Sequence, residues 1–278
     1  MGHGIAYAAM AAGYETVLFD VSEASLGNAL SAIQAIVAKR LERETTQAEE
    51  GLSVAVHFDV ATTTVLSAAV EDADVIIEAV PERIDVKLAL MADVDRIAPA
   101  HAVIATNTSA LSITELASAT SKPGRVAGMH FFNPVHKMKL VEIVRALESS
   151  PETLQAIEDV ARKMGKETVL VRESPGFITT RVNASIGNEA FYMLMEGVAS
   201  ARDIDKALKL GLNHPMGPFE LVDLVGLDTR LSILEYLHRS LGEKYRPCPL
   251  LAQYVKAGRL GKKVGRGVYE YSRSVQAD

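Results

Sequence analysis

The stretch Ala73-Asp-Val-Ile-Ile-Glu-Ala-Val80 is a short, mostly apolar run rich in β-branched residues. Such a run is typical of a strand that a parallel sheet buries on both faces. Ala102-Val-Ile-Ala-Thr106 has the same character, and a helical pattern over 85–97 separates the two runs. Strands and helices alternate in this way through the first half of the chain, which predicts a doubly wound α/β sheet.

The same two periodicities place the other elements of this half. Further strands are predicted at 15–20, 126–130, 140–144 and 167–171, and further helices at 5–12, 22–50, 112–120 and 151–164. Residues 51–72 are ambiguous between the two patterns.

The pattern changes after Glu173, where Pro175 and Gly176 interrupt the chain. Helical periods dominate beyond this point. The predicted helices lie at 177–197, 202–210, 217–241 and 248–257, and a short strand is predicted at 267–271. The sequence therefore predicts two domains, a sheet domain over 1–173 and an all-α domain over 174–278.

Composition limits the class of protein. The chain has 278 residues, 48% hydrophobic and 23% charged, which is ordinary globular usage. The formal charge of −6 argues against a nucleic-acid partner. No apolar run reaches the roughly 18–20 residues of a membrane helix, and no metal site is predicted. A single cysteine, Cys248, cannot form an internal disulfide, which favours a cytoplasmic protein.

The chain opens on a glycine-rich entry to a short helix, followed by a strand that ends at Asp20. In dinucleotide-binding folds, glycines at a helix N-terminus let the backbone approach a pyrophosphate, and a later carboxylate binds the ribose hydroxyls. Gly2 would be the third glycine of that motif, and Asp20 would favour NAD over NADP. The first strand and the first two glycines do not occur, and helix-to-strand turns that end in Asp are common, so this signal alone is weak.

Two polar groups follow predicted strands, where ligands bind in open α/β sheets. Ala105-Thr-Asn-Thr-Ser109 ends one strand, and on this motif alone a Ser or Thr cap for a helix starting near Leu111 is the stronger interpretation. Glu82, with Lys87 behind it, follows another strand and could reach a cofactor. A solvated loop charge is an equally good interpretation of Glu82.

His130 ends a further strand and Glu142 lies twelve residues later inside the apolar run Leu140-Val-Glu-Ile-Val144. A histidine is a natural general base, and a carboxylate can orient its ring and support the imidazolium. A single His in a turn is more often structural. A buried carboxylate is costly unless it has a partner, however, which favours pairing Glu142 with His130.

Together these residues carry a family resemblance that runs through nearly the whole chain. The blocks that carry it are Met1-Gly-His-Gly-Ile-Ala, Val75-Ile-Ile-Glu-Ala-Val-Pro-Glu82, Asn107-Thr-Ser109, His130-Phe-Phe-Asn-Pro134, Lys139-Leu-Val-Glu142, Ser174-Pro-Gly-Phe177, His214-Pro-Met-Gly-Pro218 and Leu260-Gly-Lys-Lys-Val-Gly-Arg-Gly267. The chain resembles the L-3-hydroxyacyl-CoA dehydrogenase family, most closely its short-chain, bacterial 3-hydroxybutyryl-CoA dehydrogenase branch.

The resemblance implies an NAD-binding Rossmann-like domain, a helical domain that forms a homodimer, and reversible oxidation of an (S)-3-hydroxyacyl-CoA. His130 would remove the hydroxyl proton, and Glu142 would hold the His130 tautomer. Ser109 would hydrogen-bond the reacting oxygen, and Asn133 would lie near the nicotinamide. The pathway stays open among fatty-acid oxidation, butanoate metabolism and aromatic degradation.

The resemblance also places further contacts. Gly2, Asp20, Glu82 and Lys87 match family positions near the cofactor. Three basic residues on a predicted helix, Lys39, Arg40 and Arg43, are candidates for the CoA phosphates, although a solvated helix face is at least as good an interpretation.

The chain departs from the family at Thr180, where many members carry an Asn that contacts the substrate; altered rather than abolished binding is expected. Asn183 and Asn188, further along the same helix, are alternative contacts.

The second departure is the N-terminal strand of the family, which does not occur here. That strand would lie mid-sheet, so its neighbours are expected to keep unpaired ladder groups, at about 1–3 kcal/mol each if buried. Three interpretations stay open: translation that starts upstream, a chain with impaired NAD binding, and a dehydrogenase of another hydroxyacyl-CoA or hydroxy acid.

Overall fold

The computed structural model describes residues 1–47 and 60–271, with backbone only for 43–47. The chain divides into two compact units, Met1–Glu173 and Ser174–Asp278. Each unit is described separately below.

The first unit alternates strands and helices. Its strands are β1 (Val17–Phe19), β2 (Ala61–Thr63), β3 (Val75–Glu78), β4 (Val103–Thr106), β5 (Val126–Phe131), β6 (Leu140–Arg145) and β7 (Glu167–Arg172). Its helices are α1 (Gly2–Ala11), α2 (Glu23–Gln47), α3 (Leu66–Val70), α4 (Ile84–Ile97), α5 (Ile113–Ala117) and α6 (Pro151–Lys163). The fold is thus mixed α/β with a mostly parallel, Rossmann-like sheet, as the sequence predicts. The elements β2 and α3 fall in the stretch that the sequence left ambiguous.

The strands form two sheets. One sheet pairs β1 with β2 in parallel, and the other has the order β3-β4-β5-β6-β7. The pair β5 and β6 is antiparallel, which departs from a purely parallel sheet. The eight residues between Phe131 and Leu140 are too few for a parallel crossover, which takes a dozen or more residues.

The edge position of β3 corrects the prediction of a strand buried on both faces. Val75, Ile76 and Ile77 are only half-buried, and Glu78 alone is buried. Among the described residues, β3 pairs with β4 and β1 pairs with β2, and no ladder joins β1 to β3. Strands β1 and β3 therefore lie in separate sheets. Within the described residues, each has one edge with no paired strand, as the sequence predicts.

Helix α1 contributes buried side chains to two separate core clusters. Ile5 and Ala8 belong to the core cluster built on β4, β5 and β6, whereas Tyr7 and Met10 pack against Ile33 of α2. Gly4 permits a close approach, because a Cβ at this position would lie 3.1 Å from the Cβ of Val135. That approach brings the start of α1 against the loop that follows β5.

The second unit contains no strand within residues 174–271. Its helices are α7 (Thr179–Met195), α8 (Ala201–Gly211), α9 (Pro218–Val225), α10 (Leu227–Leu241) and α11 (Pro249–Lys256). The single helix predicted over 217–241 is wrong, because Gly226 adopts φ 107° and separates α9 from α10. Glycine adopts this positive φ at little steric cost, and the resulting turn ends the hydrogen-bond pattern of helix α9.

The strand predicted at 267–271 also does not form. Asp223 of α9 accepts the backbone amides of Val268 and Tyr269 at 2.8 and 2.9 Å, and the hydroxyl of Tyr271 at 2.8 Å. A side chain thus satisfies donors that a neighbouring strand would otherwise bind. Of this segment, only Glu270 forms an isolated bridge, which pairs it with Arg266.

Within the described residues, no helix is long and apolar enough to cross a membrane. The same residues include no group of three or more metal-ligating side chains that could hold a metal ion.

Candidate active site

Polar side chains gather at the carboxyl ends of β3, β4 and β5, which are parallel neighbours. Glu78 ends β3, Thr106 ends β4, and His130 is the penultimate residue of β5. The carboxyl edge of an open α/β sheet is where such folds bind ligands. The first unit therefore holds one continuous candidate site.

His130 and Glu142 lie directly opposite one another in the antiparallel pair of β5 and β6. Opposed residues in such a pair project from the same face of the sheet, and the His130 Nδ1 atom lies 2.7 Å from Glu142 Oε2. His130 is 4% exposed and Glu142 is fully buried. The twelve-residue spacing thus places a buried carboxylate beside the histidine ring. The ring of Phe132 packs against the ring of His130, with 4.6 Å between the two ring centroids.

Gly128 lets helix α5 lie against β5 beside this pair. A Cβ at Gly128 would meet Ile113 Cδ1 at 2.4 Å and Val144 Cβ at 2.8 Å, both too close for any larger residue. Helix α5 is capped by Ser112, which accepts the amide of Glu115. The cap predicted for the 105–109 segment is therefore made by a later residue, and Ser109 lies in the loop before the helix.

Asn107 joins the loop after β4 to β5. Its Oδ1 atom accepts the backbone amide of Phe131 at 2.8 Å, and its backbone amide donates to the carbonyl of Glu78 at 2.8 Å. Asn107 belongs to the Asn107-Thr-Ser109 motif, but the sequence alone gives it no role. An amide side chain directly after a buried strand, followed by two hydroxyl residues, was the available signal.

Glu82, in the loop after β3, binds the loop that carries Ser109. Its Oε1 atom accepts the hydroxyl of Thr108 at 2.6 Å and the backbone amide of Ser109 at 2.8 Å. The Glu82 side chain remains 42% exposed, so it also presents a carboxylate to solvent. The structure thus brings two predicted site residues, Glu82 and Ser109, into direct contact.

Lys87, predicted to lie near the cofactor, is buried in the first unit. Its side chain is 1% exposed, and its ammonium lies 2.6 Å from Glu78 Oε1, 3.3 Å from the carbonyl of Val80 and 3.4 Å from Glu82 Oε2. The helix α4 that carries Lys87 turns it inward under the loop. The ammonium thus lies between Glu78 and Glu82, and its contact with the cofactor stays a prediction.

The residues expected around a dinucleotide lie at the start of α1 and the end of β1. No side chain caps α1 at Met1, and a Cβ at Gly2 would lie 3.7 Å from Leu18 of β1. Asp20 follows β1 directly and accepts the amide of Ser22 through one oxygen at 2.9 Å. An uncapped helix N-terminus beside an acid at a strand end fits a pyrophosphate and a ribose.

The comparisons with known proteins agree on one family. Residues 1–174 match the family profile "3-hydroxyacyl-CoA dehydrogenase, NAD binding domain", and residues 176–271 match its "C-terminal domain". The chain belongs to the 3-hydroxyacyl-CoA dehydrogenase family. It is accordingly an NAD-dependent 3-hydroxyacyl-CoA dehydrogenase, as the sequence resemblance predicts.

Individual relatives support the same assignment. A probable 3-hydroxybutyryl-CoA dehydrogenase of Bacillus subtilis is 47% identical, over 98% of this chain and 94% of that protein. The human mitochondrial hydroxyacyl-coenzyme A dehydrogenase is 39% identical, over 98% and 88%. The crystal structure of (S)-3-hydroxybutyryl-CoA dehydrogenase from Ralstonia eutropha gives a TM-score of 0.91 at 39% identity, over 98% of this chain and 96% of that one.

In this dehydrogenase the predicted CoA contacts fall on a basic cavity of about 730 Å³. Lys39 and Arg40 of α2 line it, with Lys137 and Lys163 opposite. Lys166 donates to the carbonyls of Val135 and Met138 at 2.6 and 2.9 Å, and burial lowers its pKa. The side chain of Arg43 lies outside the described residues.

The remaining predicted contacts divide between the units of the dehydrogenase. Asn133 lies two residues after the end of β5 and is exposed. Thr180 lies in the first turn of α7, in the second unit. Asn188 is not available as a substrate contact, because its side chain donates to the carbonyl of Arg246 at 2.9 Å and accepts the amide of Cys248 at 2.8 Å.

Proposed function

We propose that this chain oxidises a short-chain (S)-3-hydroxyacyl-CoA reversibly, with His130 and Glu142 as its general-base pair. The observation that carries the proposal is the buried contact of 2.7 Å between His130 Nδ1 and Glu142 Oε2. A buried carboxylate at one ring nitrogen directs the other nitrogen, Nε2, toward the reacting hydroxyl.

The proton steps follow from this geometry. His130 Nε2 takes the proton of the substrate hydroxyl, and Glu142 stabilises the imidazolium that forms. Ser109 donates a hydrogen bond to the substrate oxygen as it becomes a carbonyl. Gly2, Asp20, Glu82, Lys87 and Asn133 would hold NAD, whose nicotinamide would accept the hydride that leaves C3 of the substrate. In the reverse reaction His130 returns the proton to the oxygen.

The substrate class rests on charge and on the names of relatives. Proteins named 3-hydroxybutyryl-CoA dehydrogenase are among those most similar to the chain. The cavity lined by Lys39 and Arg40 places several cations together in a protein of net charge −6, which suits the phosphates of CoA. Arg43 and Thr180 stay predicted substrate contacts.

With NADH, the chain is expected to reduce acetoacetyl-CoA rapidly and acetoacetate hardly at all. Acetoacetyl-pantetheine, which lacks the nucleotide phosphates, should show a KM at least about tenfold higher because charge-assisted contacts are lost. NADH absorbance at 340 nm measures all three rates. Lys39→Glu should raise the KM for acetoacetyl-CoA and leave that for acetoacetyl-pantetheine unchanged; equal effects on both would contradict CoA binding at this cavity.

A second candidate is a chain that binds NAD weakly. One observation favours it. Within the described residues, β1, which leads to Asp20, and β3, which leads to Glu82, lie in separate sheets. Calorimetric titration with NADH separates the candidates. A dissociation constant in the micromolar range supports the dehydrogenase, whereas no measurable binding supports the second candidate.

A homodimer through the second unit is also proposed, in a cytoplasmic setting. Nine large apolar side chains of this unit stay exposed among the described residues, and a dimer interface would bury side chains of this kind. They are Ile178, Val182, Met195, Val198, Leu210, Leu212, Leu224, Val225 and Val264. Light scattering should report about twice the chain mass of 29.9 kDa, and the mass of one chain would contradict the dimer.

A further inference from the structure

The second unit has a cavity of about 550 Å³ that is lined by none of the predicted substrate or cofactor contacts. All of its lining residues lie within 202–271, on α8, on α9 and in the segments beside them. Four of the ten lining side chains are cations: Arg202, Lys206, Lys209 and Lys262. The cavity therefore concentrates positive charge in a chain whose net charge is −6.

Helix α8 supplies three of these cations from one face. Arg202, Lys206 and Lys209 are separated by four and three residues, a spacing that places side chains on the same side of a helix. Like charges at this spacing repel one another and destabilise the helix. An anion bound between them would remove that repulsion.

Asp205 fixes the shape of this cavity. Its carboxylate accepts the backbone amides of Phe219 and Glu220 at 2.8 and 3.1 Å and the hydroxyl of Tyr269 at 2.7 Å. A Cβ at Gly217 would lie 2.3 Å from Asp205 Cγ, so glycine is needed for this close approach. Helix α8, the start of α9 and the segment around Tyr269 are thus tied together, and the cavity is preformed.

Glu220 is the second carboxylate of the cavity, and it is paired with one cation. Its two oxygens lie 3.0 and 3.3 Å from the Lys209 ammonium, and Oε2 also accepts the amide of Gly217 at 3.0 Å. The Gly217 amide and Lys209 hold the pKa of Glu220 below its usual value. Glu220 therefore stays ionised at neutral pH and neutralises Lys209.

The other three cations of the cavity have no carboxylate partner within the part of the chain that the structure describes. Arg202, Lys206 and Lys262 are all exposed and form no ion pair there. The Lys262 ammonium lies over the ring of Tyr271, with 5.4 Å between Nζ and the ring centroid. The cavity thus presents three unpaired cations, from two separate segments of the chain, to a single ligand.

We propose that this cavity binds a small anion that carries two or more phosphate groups, with Arg202, Lys206 and Lys262 as its contacts. Charged donors form their strongest hydrogen bonds with acceptors such as phosphate oxygens. One phosphate group carries about −1.5 to −2 at neutral pH, so a second group matches three cations better. The cavity volume lies in the range of small-molecule sites, about 300–1,000 Å³. This site is additional to the proposed dehydrogenase site, because it uses none of the residues proposed for catalysis.

Calorimetric titration with pyrophosphate at about 0.1 M salt tests the proposal. The parent chain should bind pyrophosphate with a Kd below about 1 mM. In Lys206→Glu the Kd should rise at least about tenfold, because repulsion replaces a charge-assisted contact. A parent chain that shows no binding up to about 10 mM would overturn the proposal.

Two matched variants locate the binding. Lys256→Glu changes the net charge equally, but Lys256 is exposed in the last turn of α11 and does not line the cavity. Its Kd should stay within about threefold of the parent value, as should that of Lys39→Glu in the first unit. A loss in Lys256→Glu equal to that in Lys206→Glu would reduce the effect to net charge. A loss in Lys39→Glu alone would place the site in the first unit, and either result would overturn the proposal.

Further titrations define the class of ligand. Inorganic phosphate is expected to bind at least about tenfold more weakly than pyrophosphate, since it engages fewer of the three cations. Tighter binding of ADP than of pyrophosphate would identify a nucleotide as the ligand, and the reverse order would identify an inorganic polyphosphate. Citrate that binds as tightly as pyrophosphate would overturn the preference for phosphate.

Thermal unfolding gives an independent readout that needs no turnover. Pyrophosphate at about ten times its Kd should raise the unfolding temperature of the parent and of Lys256→Glu, and should leave that of Lys206→Glu unchanged. Equal shifts in all three chains would overturn the proposal. A parent chain without dehydrogenase activity would contradict the proposed function and leave these binding results unaffected.

Discussion

The variant His130→Ala is expected to reduce acetoacetyl-CoA with a kcat at least about a thousandfold below that of the parent. The ring that exchanges the proton with the substrate oxygen is removed, and no other histidine side chain of β5 or β6 replaces it. NADH should bind nearly as before, because His130 is not among the predicted cofactor contacts, and the substitution leaves Asn133 in place. Steady-state rates at 340 nm with both substrates saturating measure the loss.

His101→Ala is the matched control for this variant. His101 is exposed at the opposite end of β4, where its ring lies 3.0 Å from Asp74. Its removal should leave kcat within about twofold. A kcat of His130→Ala within tenfold of the parent would contradict general-base catalysis by His130.

The variant Glu142→Gln is expected to lower kcat by about a hundredfold or more. Glutamine has the same shape and can still accept from Nδ1, but it carries no charge to stabilise the imidazolium in the buried pocket. The amide group can also turn its nitrogen toward the ring, which disfavours the required tautomer. Rapid-mixing kinetics of NADH oxidation measure the change at the chemical step.

Glu158→Gln provides the comparison for Glu142→Gln. Glu158 lies on α6, where it pairs with Arg162 at 2.8 Å, outside the proposed site. It should leave the rate of hydride transfer within about twofold. If Glu142→Gln behaved like Glu158→Gln, the carboxylate would have only a packing role and the proposed pair would be wrong.

Local pattern was enough to predict that Glu142 pairs with His130. A carboxylate inside the apolar run Leu140-Val-Glu-Ile-Val144 needs a partner, and the short connection after β5 makes the two strands antiparallel neighbours. His130 and Glu142 then come into register opposite one another. The spacing and the burial of one residue therefore carry most of this prediction.

The network at Glu82 could not be predicted in the same way. Glu82 bonds Thr108 and Ser109 across 26 and 27 residues of sequence, and that contact depends on β3 and β4 being adjacent. Sequence spacing does not report it. From the sequence alone, a solvated loop charge and a cofactor contact are therefore equally good interpretations of Glu82.

The second unit was predicted less well for a related reason. The break at Gly226 interrupts an otherwise continuous helical period, and a single glycine inside such a period is often tolerated. The segment 267–271 has a strand composition, but Asp223 supplies the acceptors for its amides. Tertiary contacts here override local propensity.

His130 is expected to govern hydride transfer from NADH to a 3-oxoacyl-CoA. The most direct test uses NADH carrying deuterium at both C4 positions, with acetoacetyl-CoA as substrate and mass spectrometry of the product. One deuterium should appear at C3 of 3-hydroxybutyryl-CoA with the parent chain, and product should be nearly absent with His130→Ala. A parent chain that yields no deuterated product while binding NADH, or a His130→Ala chain that yields as much as the parent, would contradict the account.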